Sequence, residues 1–154
     1  NFWNKPWSQE VAQAIDYIVL HAYAMWNSQP LENAVNWTEE TFIAIQALHP
    51  NKQIVLGESG WTTSSISDNG DERLIIGEAS ERAQAVFFKE YSDWLERNHI
   101  VSFYFEAFDE KWKGSSDELE PEKHWGLFKS DRTPKKVMRP YFRHLVKEKV
   151  TLKK

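Results

Sequence analysis

Three short apolar runs constrain this chain more than any other feature. Tyr17-Ile18-Val19-Leu20, Gln53-Ile54-Val55-Leu56 and Ile100-Val101-Ser102-Phe103-Tyr104-Phe105 place β-branched and aromatic residues side by side without polar alternation. That is how strands buried on both faces read, so strands are expected near 17–23, 53–58 and 100–107. Helical spacing fills the gaps between them. Thr38 can cap a helix carrying Phe42, Ile45 and Leu48 that Pro50 stops, and Ser80 can cap a longer one carrying Ala83, Phe87, Tyr91, Trp94 and Leu95 that ends near Asn98. An opening helix is expected from Ser8, and a last one from Pro134 towards Lys149, bent or divided at Pro140.

Strand, helix, strand, helix, strand predicts an α/β fold with a parallel sheet. The segments that follow the strands are long, polar and aromatic, whereas those entering them are short. Long loops at the carboxyl ends of strands are where (β/α) barrels build their sites. Counted from Tyr17, Ile54 and Ile100, the strand starts lie 37 and 46 residues apart, so eight such units would need about 300 residues. With 154 residues, the expected fold is a partial, half TIM-type (β/α) barrel forming one domain over 1–154. Its open edges and apolar inner face would call for cover, and a homodimer closing the barrel is expected.

Composition narrows the function. A net charge of −4 with dispersed basic residues argues against nucleic acid, and no run is long and apolar enough to span a membrane. No charged-then-apolar leader opens the printed chain. With no cysteine there are no disulfides and no thiolate chemistry. His21, His49, His99, His124 and His144 lack metal-ligand spacing, and neither a nucleotide-binding glycine motif nor a serine-hydrolase elbow is present, so no metal and no cofactor are expected. The basic tail at Lys147, Lys149, Lys153 and Lys154 reads as a solvated end.

The candidate chemistry is carboxylate chemistry. Glu58 follows a strand between Gly57 and Gly60, where a side chain would point into a barrel mouth. Glu106, Asp109 and Glu110 crowd the end of the third strand, with Lys113 placed to counterbalance them. Trp61, Trp112, Trp125, Tyr104 and Trp26 offer flat apolar faces of the kind that stack on sugar rings, and His21 and Tyr23 can hydrogen-bond a ligand.

Three segments together resemble glycoside hydrolase family seventeen, the beta-1,3-glucanases and their relatives: Gly57-Glu58-Ser59-Gly60-Trp61-Thr62, Phe105 through Lys113, and Glu122-Lys123-His124-Trp125-Gly126-Leu127-Phe128. The run from Asp16 to Tyr23 is similar to that family's sixth strand. The resemblance implies strands six to eight of a (β/α)8 barrel and retaining hydrolysis of a beta-glucan or oligosaccharide, with an extracytoplasmic location plausible for such a family. It makes Glu58 the nucleophile and places Glu110, Lys113 and Glu122 along the cleft, with Glu110 and Glu122 as local candidates for the acid. The family's acid/base glutamate, in an Asn-Glu pair after the fourth strand, has no counterpart here. A catalytically inactive remnant that binds sugar weakly, or a structural dimerisation module, is therefore the alternative.

Overall fold

The computed structural model describes residues 2–65 and 75–146. Helix α1 (Ser8–Gln13) leads into strand β1 (Tyr17–His21), α2 (Leu31–Leu48), β2 (Gln53–Ser59), α3 (Glu81–Asn98) and β3 (Ser102–Tyr104). The strands form one parallel sheet in the order β1-β2-β3, so the expected α/β alternation and strand direction hold. No helix among the described residues is long and apolar enough to cross a membrane.

Local signals account for α3. Ser80 is extended, and its hydroxyl accepts the Ala83 N–H, which satisfies one of the donors a helix start leaves over. At the far end His99 turns left-handed (φ 53°) while Ile100 N–H closes onto Leu95 O. The apolar face so presented, Ala83, Phe87, Tyr91 and Trp94, is buried against the sheet and α2. Phe87 stacks on Tyr91 with centroids 5.3 Å apart, and Phe42 of α2 meets Trp94 edge-on at 5.9 Å. Such pairs contribute about 0.5–1.5 kcal/mol each beyond simple burial.

Helix α2 corrects one expectation. Thr38 does not cap it; the helix begins at Leu31, just after Pro30, with Glu32 in the first turn. Thr38 is buried mid-helix, where its hydroxyl donates to Ala34 O at 2.9 Å. A threonine satisfied by its own i−4 carbonyl need not start a helix. The last helix is likewise not formed as expected. Pro134 sits in an isolated bridge with Phe128, residues 136–141 form turns, and only a short 3-10 turn, Arg143–Leu145, follows. Residues from 147 onward, including the basic tail, lie outside the described residues.

Burial on both strand faces is also corrected. Ile18, Leu20, Ile54 and Leu56 are buried under the helices, while the opposite face of the sheet shows Tyr17, Val19 and Phe103 with 53 %, 40 % and 65 % exposure. Helices cover one face of the described sheet, and among the described residues no helix covers the other.

Candidate active site

The site sits at the carboxyl end of the sheet because β1 and β2 slip in register between Leu20 and His21, which brings His21 opposite Glu58. Tyr23 O–H donates to Glu58 Oε2 at 2.8 Å, and His21 Nδ1 approaches the same oxygen at 3.2 Å. Two groups of one segment thus converge on one carboxylate oxygen. Burial pushes the Tyr23 phenol far above its ordinary pKa, with Glu58, Glu122 and Glu106 adding negative charge nearby, so Tyr23 remains a proton donor at every ordinary pH.

The flanking glycines serve close approach, since neither has the positive φ a tight turn would demand. A Cβ on Gly57 would overlap the Val19 side chain and press on the His21 ring; one on Gly60 would strike the Phe105 carbonyl.

A second centre follows β3. Lys113 Nζ bridges Glu106 Oε2 at 2.7 Å and Glu110 Oε2 at 2.8 Å, and stands 4.3 Å from the Phe105 ring centroid. The expected counterbalance is therefore in place. Burial raises the pKa of Glu106 against the pull of Lys113, whereas the Lys113 hydrogen bond lowers that of Glu110. Burial opposes the charge on Lys113 itself, but the two carboxylates prevail and its pKa is raised.

Asp109 leaves this crowd. Its carboxylate takes the Gly126 N–H at 3.0 Å and pairs at 2.7 Å with Lys135, a residue that sequence reading passed over. No local signal could have marked a lysine 26 residues downstream. These two residues line a cavity of about 750 Å³ together with Thr63, Lys111, Ser115 and His124, and neither Glu58 nor Glu110 borders it.

The tryptophans divide. Trp112 is 76 % exposed, 5.7 Å from Lys113 Nζ. Trp125 is buried with its ring 5.2 Å from Tyr23 and 5.8 Å from Trp26, so it backs the site. Trp61 is a correction: it is fully buried, tilted against Phe87 at 5.3 Å, and its Nε1 donates to Glu78 O. It offers no face to a sugar. Trp61→Ala is expected to lower folding stability by about 3–5 kcal/mol, measured by urea unfolding, with a loss below about 1 kcal/mol contradicting the core assignment. Glu122 lies in the 3-10 turn Pro121–Lys123, half-buried and close enough for its charge to act on Tyr23. Among the described residues no group of His, Asp and Glu is arranged to hold a metal ion.

Comparison with known proteins bears on the family and the fold. The chain is 33% identical over 141 residues to a glucan 1,3-beta-glucosidase of Schizosaccharomyces pombe, covering 88% of this chain and 41% of that protein. It is 28% identical over 149 residues to one of Arthroderma benhamiae, covering 86% and 46%. An active-site mutant of a beta-1,3-glucanosyltransferase from Rhizomucor miehei, solved with laminaritriose, shares the fold with a TM-score of 0.73 at 20% identity, covering 88% of this chain and 46% of that one. The chain thus spans under half the length of the relatives it matches. The resemblance to glycoside hydrolase family seventeen is borne out, and the match of residues 1–126 to the BtgE/BtgC glycoside hydrolase domain shows that the chain belongs to that family.

Proposed function

We propose that this chain is the nucleophile-bearing half of a retaining glycoside hydrolase acting on beta-1,3-glucan, with Glu58 as the nucleophile. The observation that carries the reading is the convergence of Tyr23 and His21 on Glu58 Oε2. It fixes the carboxylate's orientation through Oε2 and, among the described residues, leaves Oε1 the oxygen not engaged by Tyr23 or His21, as an attacking oxygen requires. Relatives named glucan 1,3-beta-glucosidase and a neighbour solved with laminaritriose support the choice of substrate. Exposed Trp112 and the carboxylates Glu106, Glu110 and Glu122 would meet the ring faces and hydroxyls of the glucan.

A retaining displacement needs two carboxyl groups about 5–5.5 Å apart, one to attack and one to protonate the leaving oxygen. Glu110 suits the acid role poorly, because Lys113 holds it ionised. Glu122 remains the local candidate, within one chain or across a dimer. Incubating the whole chain with beta-1,3-glucan oligosaccharides and counting new reducing ends tests the reading. Sugar binding without turnover would favour the second reading, a sugar-binding remnant, which exposed Trp112 supports.

The half barrel would be completed by a second copy about a two-fold axis. Tyr17, Val19 and Phe103 on the uncovered sheet face support this, since an apolar sheet face of that kind is ordinarily buried. Sedimentation at micromolar protein is expected to give twice the 18.2 kDa chain mass. A folded monomer at every concentration would overturn the dimer.

A further inference from the structure

Glu106 is the least comfortable group of the cleft. Its Oε2 meets Lys113 at 2.7 Å, but its Oε1 is buried and has no hydrogen-bond partner. A buried carboxylate oxygen without a donor is costly, and the carbonyl-like oxygen of a neutral carboxyl is much less so. The Glu106 and Glu110 carboxyls both lean on the single ammonium of Lys113, at 2.7 Å and 2.8 Å. Two ionised carboxyls on one ammonium would repel and leave the unit with a net negative charge; one proton on the pair balances the charge.

We propose that Glu106 and Glu110 share one proton, held on Glu106, and that with Lys113 they form a charge-balanced unit in the cleft wall. Glu106 is thereby a positioning residue: through the proton and through Lys113 it fixes where the Glu110 carboxylate and the ammonium stand. The charged and titratable groups around it are Lys113 and Glu110 from its own loop, and Tyr23 from the segment after β1, on which the charges of Glu58 and Glu122 also act. Burial acts in the same sense, raising the pKa of Glu106, while the Lys113 hydrogen bond lowers that of Glu110. The proposal deepens the glucan-site reading and makes Glu106, rather than Glu110, the protonated carboxyl of this wall.

Carboxyl-carbon NMR of the whole chain with labelled glutamate, followed from about pH 4 to about pH 9, tests it without turnover. One glutamate is expected to titrate clearly above the ordinary value of about 4.3. Glu106→Gln should remove that step. Glu110→Gln should keep it but move it down, because a like charge is gone, and Lys113→Met should move it up. Circular dichroism reports whether each variant is folded; should Glu106→Gln not fold, the opposite shifts in the other two variants decide. Every glutamate titrating near the ordinary value, or a high step that vanishes with Glu110→Gln and persists in Glu106→Gln, would overturn the proposal. A chain that shows the step but turns over no glucan loses the hydrolase reading and keeps this one; turnover without the step does the reverse.

Discussion

Lys135→Met is expected to cost about 3–5 kcal/mol of folding stability, a large share of the roughly 5–15 kcal/mol that a domain possesses. Lys135 is 2% exposed, and its ammonium meets Asp109 Oδ1 at 2.7 Å, Thr63 Oγ1 at 2.8 Å and His124 O at 3.0 Å. Burial lowers its pKa and Asp109 only partly restores it, so the charge is expensive to keep inside. Removing the lysine is nevertheless worse, because it takes from the nearly buried Asp109 carboxylate its close cation and leaves it, among the described residues, the Gly126 N–H and the more distant His124 ring at 4.0 Å. Lys135 also ties the chain after Pro134 to the segment carrying Trp125, since its ammonium bonds His124 O and its backbone N–H bonds Leu127 O. Urea unfolding of Lys135→Met, Asp109→Asn and the double variant measures the effect. The double variant should lose less than the sum of the two singles, and an additive cycle, or a single loss below about 1 kcal/mol, would show that the pair is not coupled.

Glu58→Gln is expected to lower hydrolysis of beta-1,3-glucan by on the order of 10⁴-fold while sugar binding stays close to normal. The amide keeps the size of the side chain and can still accept the Tyr23 hydroxyl through its oxygen, which now accepts it at Oε2 with 2.8 Å. What it loses is the negative charge that attacks the anomeric carbon and then leaves it. Because Tyr23 is held protonated, the hydrogen bond persists across the assay range and a pH-dependent loss of that donor cannot mimic the effect. New reducing ends are counted for wild type and variant at matched sugar occupancy. Equal rates for the two proteins would remove Glu58 from the mechanism.

The fold and the site differ in how much of them the amino-acid order reveals. Strand and helix alternation is written locally: three apolar runs, Ser80 three residues before the Ala83 N–H it caps, and α3 residues recurring on one face. Glu58 was legible too, since a carboxylate directly after a buried run between glycines must emerge at the strand end. Lys113 follows Glu110 by three residues and Glu106 by seven, close enough along the chain for their pairing to be anticipated.

Other features depend on segments far apart in sequence, and these only the tertiary structure decided. Trp61 and Trp112 are the same residue type beside similar carboxylates, yet one packs on Phe87 of α3 and the other stands in solvent, because burial depends on which helix lies against the residue. Asp109 stands beside Glu106 and Glu110 in sequence, but Lys135, 26 residues on, draws its carboxylate away from them. The slip between Leu20 and His21 that sets His21 and Tyr23 on Glu58 is a property of two strands pairing, and no single strand encodes it. Spacing and capping act within a turn or two of the chain, so the sequence determined the elements and the position of Glu58; register, burial and ion pairing between distant segments are settled only when those elements pack.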